Sequence, residues 1–185
     1  MVMRQAIILS GAGGQGLILA GAIVAEAAGV FEGKEVVQTQ SYGIQARGGA
    51  SQSSVIISDH RIKFPEVRVP DILLCLSQEA YNRYAPDLRS GGTLMIDKDL
   101  VTPTNPRHDI QIFALPFTAE AEKMDRRILA NMIALGALAT ITGALKVESL
   151  AQAIPLRLPE RNVPQALEAL YLGRKLAEEQ GMKVR

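Results

Sequence analysis

Residues 6–20 read AIILSGAGGQGLILA: an apolar run, a cluster of glycines, then a second apolar run rich in small residues. The first run has the length of a strand, and the alanine-rich stretch after the glycines has the composition of a helix. Gly11, Gly13 and Gly16 fit the spacing G-x-G-x-x-G, with Gly14 and Gln15 between the last two. Glycines at such a turn allow positive φ, and they let backbone N–H groups approach an anion at the positive end of the following helix. The same letters serve a dinucleotide fingerprint or a plain tight turn with close helix–strand packing. A dinucleotide site makes one further demand, an acid at the end of the second strand to hold the ribose hydroxyls. That strand, KEVVQTQS (34–41), ends in Gln38, Thr39, Gln40 and Ser41, while Glu35 stands at its start. No arginine stands at its end for a 2′-phosphate either, so the dinucleotide reading lacks its second contact.

Outward from the turn, strands alternate with helices. The first strand is expected over 4–10, a helix over 15–31, the second strand over 34–41 and a third, SQSSVIISD, over 51–59. PDILLCLS (70–77) is a short continuous apolar run, as in a strand buried on both faces. Ser77 is placed to cap the next helix, with Glu79 in its first turn. TLMID (93–97) and IQIFALP (110–116) supply further strands. A long helix follows over 118–143, a short one over 147–153, the proline-punctuated IPLRLPERNVP (154–164), and a last helix over 164–180. This alternation predicts an α/β fold, a three-layer α/β/α sandwich with a mostly parallel, Rossmann-like sheet, and one domain over 1–185.

Composition narrows the function. The chain has 185 residues, 48% of them hydrophobic, with 20 basic and 19 acidic side chains and a net charge of +1. No charge excess points to nucleic acid or to an anionic membrane, and 4% aromatics with no Trp argues against base-stacking surfaces. The one cysteine, Cys75, sits in the apolar DILLCLS as a buried small hydrophobe, and a reducing, cytoplasmic setting is expected. Without a C-x-x-C or a Cys/His cluster, the chain by itself has no ligand set for an iron–sulfur cluster or structural zinc. The uncharged stretch 128–145 carries Asn131, Thr140 and Thr142 and is shorter than the roughly 20 apolar residues a membrane span needs. It reads as a helix buried in protein.

A second unusual stretch, QSYGIQARGGASQSS (40–54), leaves strand two. In an α/β sheet that end shares a rim with the first glycine turn. Tyr42, Arg47, Gly48 and Gly49 therefore converge on the same edge. Arg47 has the chemistry to hold a carboxylate or phosphate by paired hydrogen bonds, or to pair with an acid of another loop or subunit. Tyr42 offers a ring to a ligand or a cover to the loop. His60 and His108 stand in separate polar loops, and KMDRR (123–127) reads as a charged helix surface. Asn131, inside the apolar helix, is either a clamp on a neighbouring loop or part of the site rim. No nucleophile with an attendant base and no metal-ligand set is legible. The rival readings are a free-standing NAD(P)-binding oxidoreductase and a scaffold module that binds no ligand.

GAGGQG at the start of a helix, VVQTQSYGIQARGGASQSSVIIS (36–58), FPEVRVPDILLCLSQEAY (64–81) and NMIALGAL (131–138), in that order, resemble the gamma subunit of the 2-oxoacid:ferredoxin oxidoreductases. The wording TQSYG…ARGG is most similar to the 2-oxoglutarate branch. The resemblance implies a three-layer α/β/α domain in a multi-subunit enzyme. Such an enzyme converts a 2-oxoacid, coenzyme A and oxidised ferredoxin to acyl-CoA, carbon dioxide and reduced ferredoxin. It also implies thiamine diphosphate and iron–sulfur clusters in alpha, beta and delta partner subunits, ferredoxin as electron acceptor, and an isolated chain without activity. Gly11, Gly13, Gly14, Gln15, Gly16, Tyr42, Arg47, Gly48 and Gly49 are the motif positions nearest the coenzyme A region. Two departures stand out: Ile44-Gln45 where many members have Pro-Glu, and no basic residue in LILAGAIVA (17–25), where fused pyruvate relatives carry them. The cation for coenzyme A is therefore expected from Arg47 or from a partner subunit.

Overall fold

The computed structural model describes residues 3–41, 50–105 and 107–183. Strands β1 (Arg4–Gly11), β2 (Glu35–Ser41), β3 (Ser51–Ser58), β4 (Ile72–Cys75), β5 (Thr93–Asp97) and β6 (Gln111–Leu115) form one sheet in the order β2-β3-β1-β4-β5-β6. β1, β4, β5 and β6 are parallel, and β3 pairs antiparallel with both β1 and β2, so β3 alone runs against the others. The α/β class and the largely parallel sheet are as expected. The departure from a simple dinucleotide fold is β3, which stands between β1 and β2.

Side chains alternate across the sheet and build two cores. Ile7, Leu9, Val55, Ile57, Leu74 and Met95 face one side, and Ile8, Leu73, Cys75, Leu94 and Ile96 face the other. Helix α1 (Leu17–Glu26) runs on into a π-helical turn, Ala27–Phe31, within the expected 15–31 helix. Helix α2 (Gln78–Tyr84) covers the second face with Ala80, Tyr81 and Tyr84, and its amide at Ala80 donates to the Ser77 hydroxyl at 3.2 Å as the cap predicts. Helices α3 (Phe117–Lys123), α4 (Ala130–Thr142), α5 (Val147–Arg157) and α6 (Val163–Lys183) add their apolar residues to the first face. The three layers are thus unequal, thick on the α1 side and thin on the α2 side.

Helix α4 is buried on every side from Ala130 to Ala139, which explains its lack of a polar face. It meets α6 through glycines: a Cβ on Gly136 would run into the Leu170 carbonyl, and one on Gly173 into the carbonyl of Ile133. Among the described residues no helix is long and apolar enough to cross a membrane.

Two helix boundaries differ from expectation. The continuous helix over 118–143 is broken, because Asp125 takes φ 55 and the chain stops α3 there. The Asp125 amide donates to the Glu122 carbonyl and the Arg126 amide to that of Ala121, the paired bonds of a Schellman motif. Asp occupies the left-handed position that glycine usually fills, so the stop carries no glycine signal in the sequence. A 3-10 turn, Arg127–Leu129, then leads into α4. The second difference is α5, which continues through Pro155 to Arg157 rather than ending near 153.

Candidate functional site

The C-terminal ends of β1, β4, β5 and β6 share one rim. From β1 the chain goes to β2 on one side, and from β3 it goes to β4 on the other, so the connections reverse direction between β1 and β4. In open α/β sheets such a switch point is where ligands bind. The glycine turn leaves β1 there.

Its glycines have different reasons. Gly11 closes β1 opposite Ser51, and a Cβ on it would collide with the Gln15 side chain. Gly16 caps α1 at φ 72, and a Cβ there would strike the Asn131 amide, which donates to the Gly16 carbonyl at 3.2 Å. Asn131 is therefore the clamp on the turn, one of its two expected roles. Gly14 has φ 87 and open space around it. Gly13 has neither a positive φ nor any atom within 4 Å of where a Cβ would stand, so packing within the described chain does not account for it.

The Gln15 amide is engaged inside the turn. Its Oε1 accepts from the Ala12 amide at 2.7 Å and its Nε2 donates to the Leu76 carbonyl at 2.9 Å, tying the turn to the end of β4. Ser51 Oγ lies 3.4 Å from the carbonyls of both Gly11 and Ala12, and Ser10 Oγ donates to the Ser51 carbonyl at 3.0 Å. The turn is held from three strands.

Tyr42, Arg47, Gly48 and Gly49 lie outside the described residues. The residues that flank them are at the rim: Ser41 pairs with Gln52, and Ser51 with Gly11. The Ala50 amide also donates to Glu79 of α2 at 3.3 Å. The rim placement expected for the end of strand two therefore holds. The dinucleotide reading fares worse, since β3 separates β1 from β2, and Gln38 near the end of β2 is bound to the Ile18 carbonyl and to Ser53.

Beside the turn is a hollow of about 370 Å³, lined by residues 12–15, by Thr118 of α3, by Arg127 and Ile128 ahead of α4, and by Ala130 at its start. Two of these residues were not legible as site residues. Thr118 is 4% exposed; its amide donates to Asp97 Oδ2 at 2.7 Å, and its hydroxyl has no hydrogen-bond partner among the described residues. Asp97, fully buried at the end of β5, also accepts the Asp99 amide, which fixes the start of α3 against the rim. Arg127 read as part of a charged helix surface; the break at Asp125 instead turns it toward the glycines. Its only sequence signal was the pair Arg126-Arg127 just before an uncharged helix.

Elsewhere, burial makes Cys75 a core residue and pushes its thiol pKa far up. His60 and His108 are exposed and apart. Among the described residues no group of three or more His, Cys, Asp or Glu side chains is placed to hold a metal ion. A more apolar hollow of about 510 Å³ lies by α2 and β6, but its Arg107 is bound to Asp109 and to the Leu88 carbonyl.

These features define an α/β domain with a glycine-turn site at the carboxyl rim of its sheet. Residues 6–176 match the family model described as pyruvate ferredoxin/flavodoxin oxidoreductase, and the chain belongs to that family. It is 48% identical over 179 residues to the 2-oxoglutarate synthase subunit KorC of Methanocaldococcus jannaschii, covering 96% of each chain. Among solved structures it is similar to the gamma subunit of a keto/oxoacid ferredoxin oxidoreductase from Geobacter sulfurreducens PCA, with 44% identity, a TM-score of 0.87, and 96% and 98% of the two chains covered. The same fold recurs in 31% of a chain of the 2-oxoglutarate:ferredoxin oxidoreductase from Magnetococcus marinus, solved with 2-oxoglutarate, coenzyme A and succinyl-CoA bound, at 23% identity and a TM-score of 0.84. The resemblance read from the ordered motifs is borne out.

Proposed function

We propose that the chain is the gamma subunit of a 2-oxoglutarate:ferredoxin oxidoreductase, one gamma-type domain over 1–185 that helps form the coenzyme A region and the subunit contacts. The complex decarboxylates the 2-oxoacid oxidatively, passes the electrons to ferredoxin and the acyl group to coenzyme A. Thiamine diphosphate and iron–sulfur clusters, which supply the carbon chemistry and the electron path, belong to alpha, beta and delta partners in the cytoplasm. The role of this chain is to bind and orient: Gly13 and Gly14 leave a bare backbone at the carboxyl rim, and Gln15 and Asn131 hold that backbone in shape. We assign Tyr42, Arg47, Gly48 and Gly49 of the second motif to the same coenzyme A role.

The observation that carries this reading is Gly13, whose open surroundings have no use among the described residues and suit the close approach of a ligand or a partner. Anaerobic purification of the chain with its native partners, assayed with 2-oxoglutarate and then with pyruvate, tests it. Ferredoxin reduction that needs coenzyme A and prefers 2-oxoglutarate supports the reading. A chain that elutes alone, or that turns over a 2-oxoacid unaided, refutes it. Gly13→Val separates the coenzyme role from a scaffold: assembly retained with acyl-CoA formation lost favours the first, and both retained favours the second.

A further inference from the structure

Between β3 and β4 the chain runs through RIKFPEVRV (61–69), which includes the start of the third ordered motif and lies outside helix and strand. We propose that this segment, together with Arg4 of β1, is a docking strip for an acidic protein surface, with Phe64 as its apolar anchor.

Three independent observations converge on it. The first is apolar exposure. Val67 packs against the second core, but Phe64 is 78% exposed and Val69 60%, and both border a hollow of about 670 Å³ with Arg4 and Ala6 of β1. Exposed apolar side chains grouped beside polar ones mark a surface meant for a partner. The second is the backbone. The Asp59 amide donates to the Met3 carbonyl at 3.0 Å and the Asp71 amide to the Ala6 carbonyl at 2.8 Å. Between these two ties the backbone of residues 61–69 makes no hydrogen bond among the described residues, so its N–H and C=O groups are open to another chain. The third is charge. Asp59 is paired with Lys34 and Glu66 with Arg68, whereas the exposed Arg4, Arg61 and Lys63 have no salt bridge among the described residues. No Asp or Glu lies outside those residues to supply one. Three uncompensated cations around an exposed phenylalanine complement a surface that is acidic and holds an apolar recess.

A protein suits the strip better than an anionic membrane. Glu66 stands in its middle, and three free cations are fewer than the roughly four to eight of a lipid-binding cluster. Open backbone groups find partners in a protein chain and none in lipid. The inference rests on the proposed function only for the identity of the partner, which is another subunit of the same complex.

Hydrogen exchange read by mass spectrometry compares the chain alone with the chain in the complex purified with its native partners. The amides of residues 61–69 should exchange fast in the chain alone and about tenfold or more slower in the complex. Equal exchange in the two overturns the proposal. Interferometry of the chain against the remaining subunits then reads affinity. Phe64→Ala should weaken binding by about tenfold or more. The paired reversal Arg61→Glu with Lys63→Glu should weaken it most at low salt, and the wild-type affinity should itself fall as salt rises. All three side chains are exposed, so both variants should keep the wild-type Tm; unchanged affinity in both overturns the strip. Binding of the chain to phosphatidylserine vesicles that Phe64→Ala abolishes, with no protection in the complex, assigns the strip to a membrane and overturns the proposal. If the complex assembles and reduces ferredoxin while residues 61–69 stay unprotected, the strip falls and the proposed function stands. If the partner that protects them is an acidic protein of another kind, the proposed function falls and the strip stands.

Discussion

Gln15→Ala examines how the glycine turn is held. The substitution removes two hydrogen bonds at once, from the Ala12 amide at 2.7 Å and to the Leu76 carbonyl at 2.9 Å. Each is worth a net contribution of about 1 kcal/mol, and a buried group left unpartnered costs about 1–3 kcal/mol. Gln15 is half-buried and the turn borders a hollow, so water recovers part of that loss and the lower figures apply. The expected destabilisation is about 2 kcal/mol, or roughly 4–8 °C in Tm for a domain of this size. Urea and thermal unfolding followed by circular dichroism measure it. Gln15→Glu sharpens the test. An ionised carboxylate still accepts from the Ala12 amide but faces the Leu76 carbonyl with no proton to donate. Its charged form is disfavoured in the folded state, so its pKa rises above the unfolded value of about 4.3. The instability of this variant relative to wild type is then full above the folded-state pKa and shrinks as the pH falls below it. If Gln15→Ala lies within about 0.5 kcal/mol of wild type while KM for coenzyme A rises, the amide serves a ligand rather than the turn and the reasoning is refuted.

Gly136→Ala should destabilise by about 1–3 kcal/mol in urea unfolding, because its Cβ meets the Leu170 carbonyl and forces α4 and α6 apart. Gly181→Ala, with nothing near its Cβ among the described residues, should be neutral or stabilise by up to about 1 kcal/mol. The hydrogen bond from Arg107 holds the Asp109 carboxyl down at about 2, so its small contribution to stability is present above the ordinary 3.8 and is lost as the pH falls through about 2. Arg107→Gln should return the Asp109 midpoint toward 3.8 in a carboxyl NMR titration. Cys75, buried with its thiol pKa pushed up, should resist iodoacetamide at neutral pH until the chain unfolds.

The sequence by itself determined the elements whose cause is local. The apolar run into GAGGQG fixes a strand, a turn and a helix, because glycine conformation and side-chain period act over a few residues. Continuous apolarity marked β4 as buried on both faces, and Ser77 announced α2. The ordered motifs were enough to suggest the family. The tertiary structure alone decided the rest. Whether β3 lies between β1 and β2 depends on pairing across the sheet, which no local signal encodes. The role of Gln15 was hidden because its partner Leu76 stands 61 residues away. The helix stop at Asp125 was hidden because a residue other than glycine took the left-handed position, and that stop is what carries Arg127 from a helix surface to the glycine turn. Thr118 reads as an ordinary helix residue until Asp97, 21 positions earlier, pins it to the rim with its hydroxyl unpartnered among the described residues. Local propensity wrote the elements. Long-range hydrogen bonds and packing, which no short stretch of chain contains, chose the residues that meet.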